Sequence, residues 1–522
     1  KTPAARRSGA TRRCRATSEK IPKVEGSGAD PRGAPLFRRL HMYHLRSSVP
    51  AILALLILTA FTAPDSGPAK SGFIACEDRQ SQQTLTDSLC IRRVVEPAQD
   101  EPVELFVRKF PARGDHRGEI WLIAGGPGES GTSFYADIDF FRETFRNYDV
   151  MVPDHRGTGY SAKLCRLEET PPSAGGMALA SAEWGSCFEQ LYANPQRAGR
   201  FSLRNAARDL DALVSGLGSG KRTLIYAVSY GTSLALEYAR LASSPVDGII
   251  LDSLTPAPSD RLSDLSCRSH TTDRVGMALL ERCAADSGCR LGPDAIGAYR
   301  ALLKDLDSGA DVPGLEQVPN GDLRQFLGLL LDVPAARNQI PAIIRALSAR
   351  NPAAGQLIRD TIATVEAYWG KITQYPQATT SIPLSAIISG SEFNGRPGLT
   401  AEALTDEKST LGFVSPLPAL LANNRFPLYS PPVPLAMPDT MPPLLVLQGT
   451  MDPKTPYASA AERAASLGTV TPVAILTLTD APHAAYLTSQ DCLSEPLARF
   501  AKNPQAVTSQ DCAPAGVAIR FP

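Results

Sequence analysis

The chain has 522 residues, 43% of them apolar and 20% charged, and its 53 basic residues balance 53 acidic ones. That is enough apolar material for a sizeable core and more than one structural unit, and it excludes a largely disordered chain. The neutral total averages two unlike parts. Residues 1–41 carry 11 Lys/Arg against 3 Asp/Glu, whereas residues 71–522 carry 40 basic and 49 acidic side chains, about −9 by formal count. Nothing in that acidic part has the basic footprint of a nucleic-acid binder.

In chain order, the first 41 residues are rich in Arg, Gly and Pro and show no apolar period. Met42 then opens a short basic stretch, followed by the apolar run VPAILALLILTAFTA over 49–63 and by small residues with Pro. This is the pattern of a secretory signal peptide, and the run is short for a membrane span of about 20 residues. Residues 1–41 are therefore read as a non-native upstream extension and 42–70 as a signal peptide, with an amino-terminal membrane anchor as the alternative. The first Cys after the run is Cys76, too far along for a lipid anchor. Export to a secreted or periplasmic location is expected, with no stable membrane insertion after signal cleavage.

Cysteine usage points the same way. With Cys14 set aside, eight of the remaining nine fall into sequence-near couples: Cys76/Cys90, Cys165/Cys187, Cys283/Cys289 and Cys492/Cys512. Short closed loops suit an oxidising compartment. Cys267 is left over and is expected to be free. No Cys/His grouping has zinc spacing, so no metal is expected.

From residue 71 the pattern is strand and helix in alternation. The segments CIRRVV (90–95) and VELFVRKF (103–110) read as an antiparallel edge hairpin. IWLIA (120–124), YDVMVP (148–153), TLIYAV (223–228), DGIILD (247–252), PPLLVLQG (442–449) and VAILTLTD (473–480) are short apolar runs that stop at Gly, Asp or Ser. Buried parallel strands look like this. Helical patterns over 206–217 and 233–242 lie between them, which predicts an α/β fold with helices on both faces of a mostly parallel sheet. Between 252 and 442 the strand pattern lapses. Helical patterns at 276–283, 295–306, 323–331, 340–349 and 353–369, with Pro-rich loops notably over 417–443, predict an inserted helical cap. The expected division is 71–255 for the first part of the core, 256–441 for the cap and 442–522 for the second part of the core.

The segment Tyr226-Ala-Val-Ser229-Tyr-Gly231 ends a strand and opens a helix. A tight strand-to-helix turn lifts a serine hydroxyl above the sheet, and small residues two before and two after let strand and helix approach. Position −2 is Ala227 rather than Gly, one methyl away from the usual pattern. The base follows by elimination among six histidines. His41 and His44 lie in the leader region, His116 in a polar turn, His155 inside DHRG and His270 in the cap. Only His483 follows the last strand. Asp452, after the strand ending in Gln448-Gly449, supplies the acid that an imidazole base needs. The order Ser229, Asp452, His483 is the one this nucleophile elbow uses. In Ala124-Gly-Gly-Pro-Gly128, a backbone N–H near Gly126, together with that of Tyr230, is the expected oxyanion hole.

Together, GGPGESG (125–131), DHRGTGYS (154–161), the Ser229 elbow, GTMDP (449–453) and PHAAY (482–486) resemble the proline iminopeptidase and tripeptidyl aminopeptidase family of α/β-hydrolases. The resemblance covers roughly 72–515, including the carboxyl-terminal segment with its late Cys pair that the secreted members share. It implies a serine hydrolase that releases amino-terminal residues or tripeptides from peptides with a free amino terminus, a helical cap that limits access, and no cofactor. It also implies a cap carboxylate for the substrate's ammonium, and Glu392 is the nearest match, with an ion pair or a helix cap as its structural alternative. Family members often carry Cys where Ser389 stands, which would leave Cys267 without a partner. Ala124 replaces the His that usually precedes GGPG, which favours the tripeptidyl branch. Asp154 and Arg156 of DHRG are expected to brace loops. A carboxylic-ester hydrolase with the same triad is the alternative activity, and a non-catalytic binding protein on this fold is the rival of another class.

Overall fold

A computed structural model describes Cys14 and residues 72–95, 102–169, 184–260, 264–433, 435, 438, 440–506 and 508–522. The expected signal peptide, and all of 1–41 except Cys14, lie outside the described residues. Among the described residues no helix is long and apolar enough to cross a membrane.

The strands are β1 (Ile74–Ala75), β2 (Leu89–Val95), β3 (Val103–Phe110), β4 (Gly118–Ile123), β5 (Tyr148–Asp154), β6 (Arg222–Val228), β7 (Gly248–Asp252), β8 (Leu444–Gly449), β9 (Val473–Leu478) and β10 (Gln510–Cys512). They form one sheet in the order β1-β2-β3-β5-β4-β6-β7-β8-β9-β10. The β2–β3 hairpin is antiparallel, with Cys90 opposite Arg108, and β3 also runs antiparallel to β5. From β5 across to β10 every pairing is parallel. The apolar runs become strands because both faces of the sheet are covered. In β6, Ile225 and Ala227 join the core on one face, while Leu224, Tyr226 and Val228 join the core on the other. That alternation is the two-residue period of a strand. Helices Leu203–Leu217 and Tyr230–Leu241 supply the first core, and Ile138–Thr144 and Gln490–Lys502 the second. The chain has the α/β-hydrolase architecture.

Between β7 and β8 the described residues form helices and no strand. They enclose a third core of their own, with Leu279, Tyr299, Leu327, Ile343 and Ile358 fully buried. Helices Arg268–Ala285, Ala295–Asp307, Leu323–Leu330, Ile340–Ser348 and Ala354–Thr373 answer to the five helical patterns. Helix Leu417–Ala422 stands at the head of a stretch read as Pro-rich loop. Pro418 sits in its first turn, where a missing N–H costs nothing.

The four expected cysteine couples are disulfides. The expectation that Cys267 is free is overturned, because Cys267 is bonded to Cys14, 253 residues away in sequence. Sequence proximity cannot find a partner at that distance, and Cys14 had been set aside as part of the leader.

Candidate active site

Ser229 closes β6 at φ 54° and ψ −120°, a conformation costly for a residue with a side chain, and Tyr230 opens the next helix. Two bonds hold this elbow: Ser229 N–H donates to the Asp252 carbonyl at 2.9 Å, and Thr232 N–H donates to the Ser229 carbonyl at 2.8 Å. Gly231 is required by contact. A Cβ there would stand 2.6 Å from the Ile123 carbonyl oxygen and 2.7 Å from that of Ala124. Ala227, at the departure from the usual pattern, is fully buried within β6, so its methyl is accommodated in the core.

His483 and Asp452 come from the loops after β9 and β8. Their side chains meet at 2.7 Å, Nδ1 to Oδ2. Asp452 is almost wholly buried and heavily bonded. Lys454 N–H and Thr455 N–H each donate to its Oδ1 at 2.8 Å, and Thr455 Oγ1 donates to Oδ2 at 2.5 Å. Burial works against its charge, but His483 and the Thr455 bonds outweigh it and hold the carboxyl below its usual range. With Nδ1–H given to Asp452, the Nε2 of a neutral imidazole is left as an acceptor. The His483 loop is fixed from two sides. Asp252 Oδ1 accepts Ala485 N–H at 2.8 Å, and Ser253 Oγ accepts Ala484 N–H at 2.8 Å. From the cap, Arg282 meets Asp480 at 2.6 Å, and Arg337 donates to the Asp480 carbonyl at 2.9 Å.

Ser229 and His483 line one cavity of about 720 Å³ between sheet and cap. Gly125, Gly126 and Pro127 line the same cavity, with Gly126 at φ 108° ahead of a cis proline. Tyr230 follows the serine directly, at the first turn of its helix. The rest of the cavity is mostly apolar, with Trp184, Phe188, Ile362, Trp369, Leu420 and Phe426 among its walls.

Glu392 is not brought to this cavity. It ends helix Ile382–Glu392, whose earlier residues Ile382, Ser385, Ala386 and Ser389 face the cavity. Its Oε1 accepts Leu203 N–H at 2.9 Å, capping the helix Leu203–Leu217, and also accepts the Tyr429 hydroxyl. These bonds support the helix-cap reading of Glu392 over the ammonium-binding one.

The DHRG residues brace loops. Asp154 accepts N–H bonds from Gly131 and Tyr160, both at 2.8 Å, and Arg156 clasps Asp209 with two bonds of 2.6 and 2.7 Å. Among the described histidines, His116 approaches Asp149 at 3.4 Å and His270 meets Glu407 at 2.9 Å. Burial pushes His155 down to about 4, so it stays neutral near pH 7.

One residue passed unnoticed in the sequence. Glu129, the glutamate of GGPGESG, lines the cavity beside Ser229. The motif was read for its glycines. The available signal was a carboxylate placed directly behind a glycine turn at a strand's carboxyl end.

Residues 120–266 match the family described as alpha/beta hydrolase fold, and residues 426–512 match the family described as TAP-like protein. Serine protease Hip1 of Mycobacterium tuberculosis (strain ATCC 25618 / H37Rv) is 29% identical over 247 residues, covering 42% of this chain and 46% of that protein. Putative hydrolase YuaR of Escherichia coli (strain K12) is 24% identical over 257 residues, covering 47% and 50%. The chain thus spans about half the length of the curated relatives it matches. Among solved structures, a proline iminopeptidase of Mycobacterium smegmatis superposes with a TM-score of 0.37 at 16% identity, over 80% of this chain and 99% of that one. An esterase of Thermogutta terrifontis gives 0.36 at 15%, over 80% and 100%. The sheet order, the elbow after β6 and the family match over 120–266 agree on the α/β-hydrolase fold, and residues 426–512 are similar to the TAP-like family.

Proposed function

We propose that the chain is a serine hydrolase that releases residues from the amino terminus of peptides through an acyl-enzyme on Ser229. The observation that carries this reading is the shared cavity, lined by both a serine held at positive φ and a buried, Asp-bonded histidine. His483 Nε2 takes the proton from Ser229 as Oγ attacks the scissile carbonyl carbon. Backbone N–H groups of the Gly126 turn and of Tyr230 stabilise the oxyanion. The tetrahedral intermediate collapses, the C–N bond breaks, and His483 protonates the departing amine. Water, deprotonated by the same imidazole, then attacks the acyl carbon, and the serine recovers its proton. Asp452 holds the tautomer and stabilises the imidazolium. The kinship with Serine protease Hip1 and the TAP-like segment support a peptide bond as the target.

Five disulfides suit an oxidising compartment, which supports a secreted or periplasmic location. The mostly apolar cavity also supports a second reading, a carboxylic-ester hydrolase with the same three residues. A panel of aminoacyl-, prolyl- and tripeptidyl-arylamides beside short-chain esters separates the two, since cleavage of the esters alone defeats the peptidase reading. Ser229→Ala should abolish both turnover and fluorophosphonate labelling while the fold persists. A fully active Ser229→Ala protein would defeat the acyl-enzyme.

A further inference from the structure

With Glu392 engaged elsewhere, the cavity holds another carboxylate in a position to read a substrate's charge. We propose that Glu129 anchors the free ammonium of the substrate's first residue, so that the cut falls after one residue. The proposal rests on the peptidase reading above and adds its substrate class: peptides with an unblocked amino terminus, cleaved one residue at a time.

Placement is the first argument. The turn that carries Glu129 is stitched between sheet and cap. Ser130 N–H donates to the Thr379 carbonyl at 2.8 Å, Ser381 N–H donates to the Gly128 carbonyl at 2.8 Å, and Glu129 pairs with Thr380 across the seam. Glu129 Oε2 and Ser229 Cβ lie 3.1 and 3.2 Å from the single point where a Cβ on Gly125 would stand. Glu129 Oε2 is therefore at most about 6 Å from the Cβ that carries the Ser229 hydroxyl.

Reach is the second argument. In the first residue of a peptide the amino nitrogen lies about 2.5 Å from its own carbonyl carbon, two bonds away at the usual angle. The attacking oxygen must come within about 3–3.5 Å of that carbon. An ammonium so placed can come within hydrogen-bond reach of a carboxylate at the Glu129 position. Two further residues would carry the terminus up to about 7 Å away, beyond this anchor.

Charge is the third. Among the described residues Glu129 forms no ion pair. Its neighbours of opposite charge are already engaged, Lys454 with Asp332 at 2.6 Å and His483 with Asp452 at 2.7 Å. Burial pushes the Glu129 carboxyl above its usual range, against the pull of Lys454, His483 and the Gly125 N–H. An ionised carboxylate beside a developing oxyanion opposes it, and an ammonium on that carboxylate cancels the opposition. The discrimination thus acts in the transition state as well as in binding.

The test compares aminoacyl-arylamides with an apolar side chain, free and N-acetylated, on wild type, Glu129→Gln and Glu129→Asp. Rates are referred to fluorophosphonate-titrated sites, so unfolded material drops out. The expected result is a kcat/KM ratio of free to acetylated substrate that falls about thirtyfold or more in Glu129→Gln, as when one partner of a desolvated charge pair is removed. Glu129→Asp, which keeps the charge but shortens the reach, should fall between. An unchanged ratio in both variants would overturn the proposal. Wild-type cleavage of tripeptidyl- but not aminoacyl-arylamides would also overturn it while leaving the peptidase reading intact. Wild-type cleavage of esters only would remove the peptidase reading and this proposal with it.

Discussion

Asp452→Asn changes one atom of the site and should disable it. The two backbone donors, Lys454 N–H and Thr455 N–H at 2.8 Å, can still be accepted by an amide oxygen in place of Oδ1. The amide nitrogen then replaces Oδ2, where it faces three more donors, the Thr455 hydroxyl at 2.5 Å, His483 Nδ1 at 2.7 Å and, more distantly, Gln448 Nε2 at 3.4 Å. Thr455 can rotate its proton away. His483 can answer only by moving its proton to Nε2, so that Nδ1 accepts from the amide. The base then points a proton at Ser229 instead of a lone pair. A triad acid changed in this way lowers kcat by about 10⁴-fold, or about 5 kcal/mol of barrier. The fold should persist, because the backbone bonds remain and a buried charge has been removed. The assay is kcat on an arylamide or ester substrate together with the rate of fluorophosphonate labelling, with circular dichroism as the control for folding. A folded Asp452→Asn protein within tenfold of wild type would refute the reasoning.

Gly231→Ala should destabilise the protein by about 1–3 kcal/mol, since its Cβ would meet the Ile123 and Ala124 carbonyl oxygens at 2.6 and 2.7 Å; urea unfolding measures it. Arg282→Ala removes the cap's 2.6 Å ion pair with Asp480, three residues before His483, and kcat should fall several-fold with no change in labelling stoichiometry. Glu407 is held down to about 2: burial opposes its charge, but His270 and Arg396 prevail. A depressed carboxyl contributes stability that is complete above its unfolded pKa and lost as pH falls through the folded one. Acid unfolding should therefore steepen from about pH 4.5 toward 2, and Glu407→Gln should flatten that limb of the curve. Non-reducing peptide maps of the full chain should yield a Cys14–Cys267 cross-link, whereas a chain processed after residue 70 should show an alkylatable Cys267 once unfolded. An alkylatable Cys267 in the full chain would contradict the pairing.

The central strands were legible because parallel strands covered on both faces are continuous apolar runs, and β4, β5, β7 and β8 are buried along their whole length. The edge strands β1 and β10 carry no periodic signal, because they are only two and three residues long and exposed or half-exposed. Helix Ile382–Glu392 was equally hidden. It begins with Ser381 and Pro383, contains Ser and Gly, and has no polar face, since it is wedged between cavity and core. Of the site, Ser229, Asp452 and His483 could be named because each lies at or shortly after the end of a strand and the histidines are few. The Cys14 pairing had no local signature at all.

The carboxylates show where sequence reasoning stops. Asp452, Glu392 and Glu129 all lie near the ends of regular elements, and nothing in their immediate neighbours tells them apart. Their bonds do. Asp452 is saturated by donors that keep it charged and aim it at one imidazole, so its role is to orient. Glu392 is saturated by a helix N-terminus and a tyrosine hydroxyl, so its role is architectural. Glu129 lines the cavity beside the nucleophile and forms no ion pair among the described residues, and burial makes its charge costly until a cation arrives. A carboxylate whose partners are already present has spent its binding capacity, while one facing a cavity retains it for substrate. Which glutamate reads the substrate is thus a property of the assembled donors, drawn here from β4, β8 and the cap, and it exists only once segments some 300 residues apart have met.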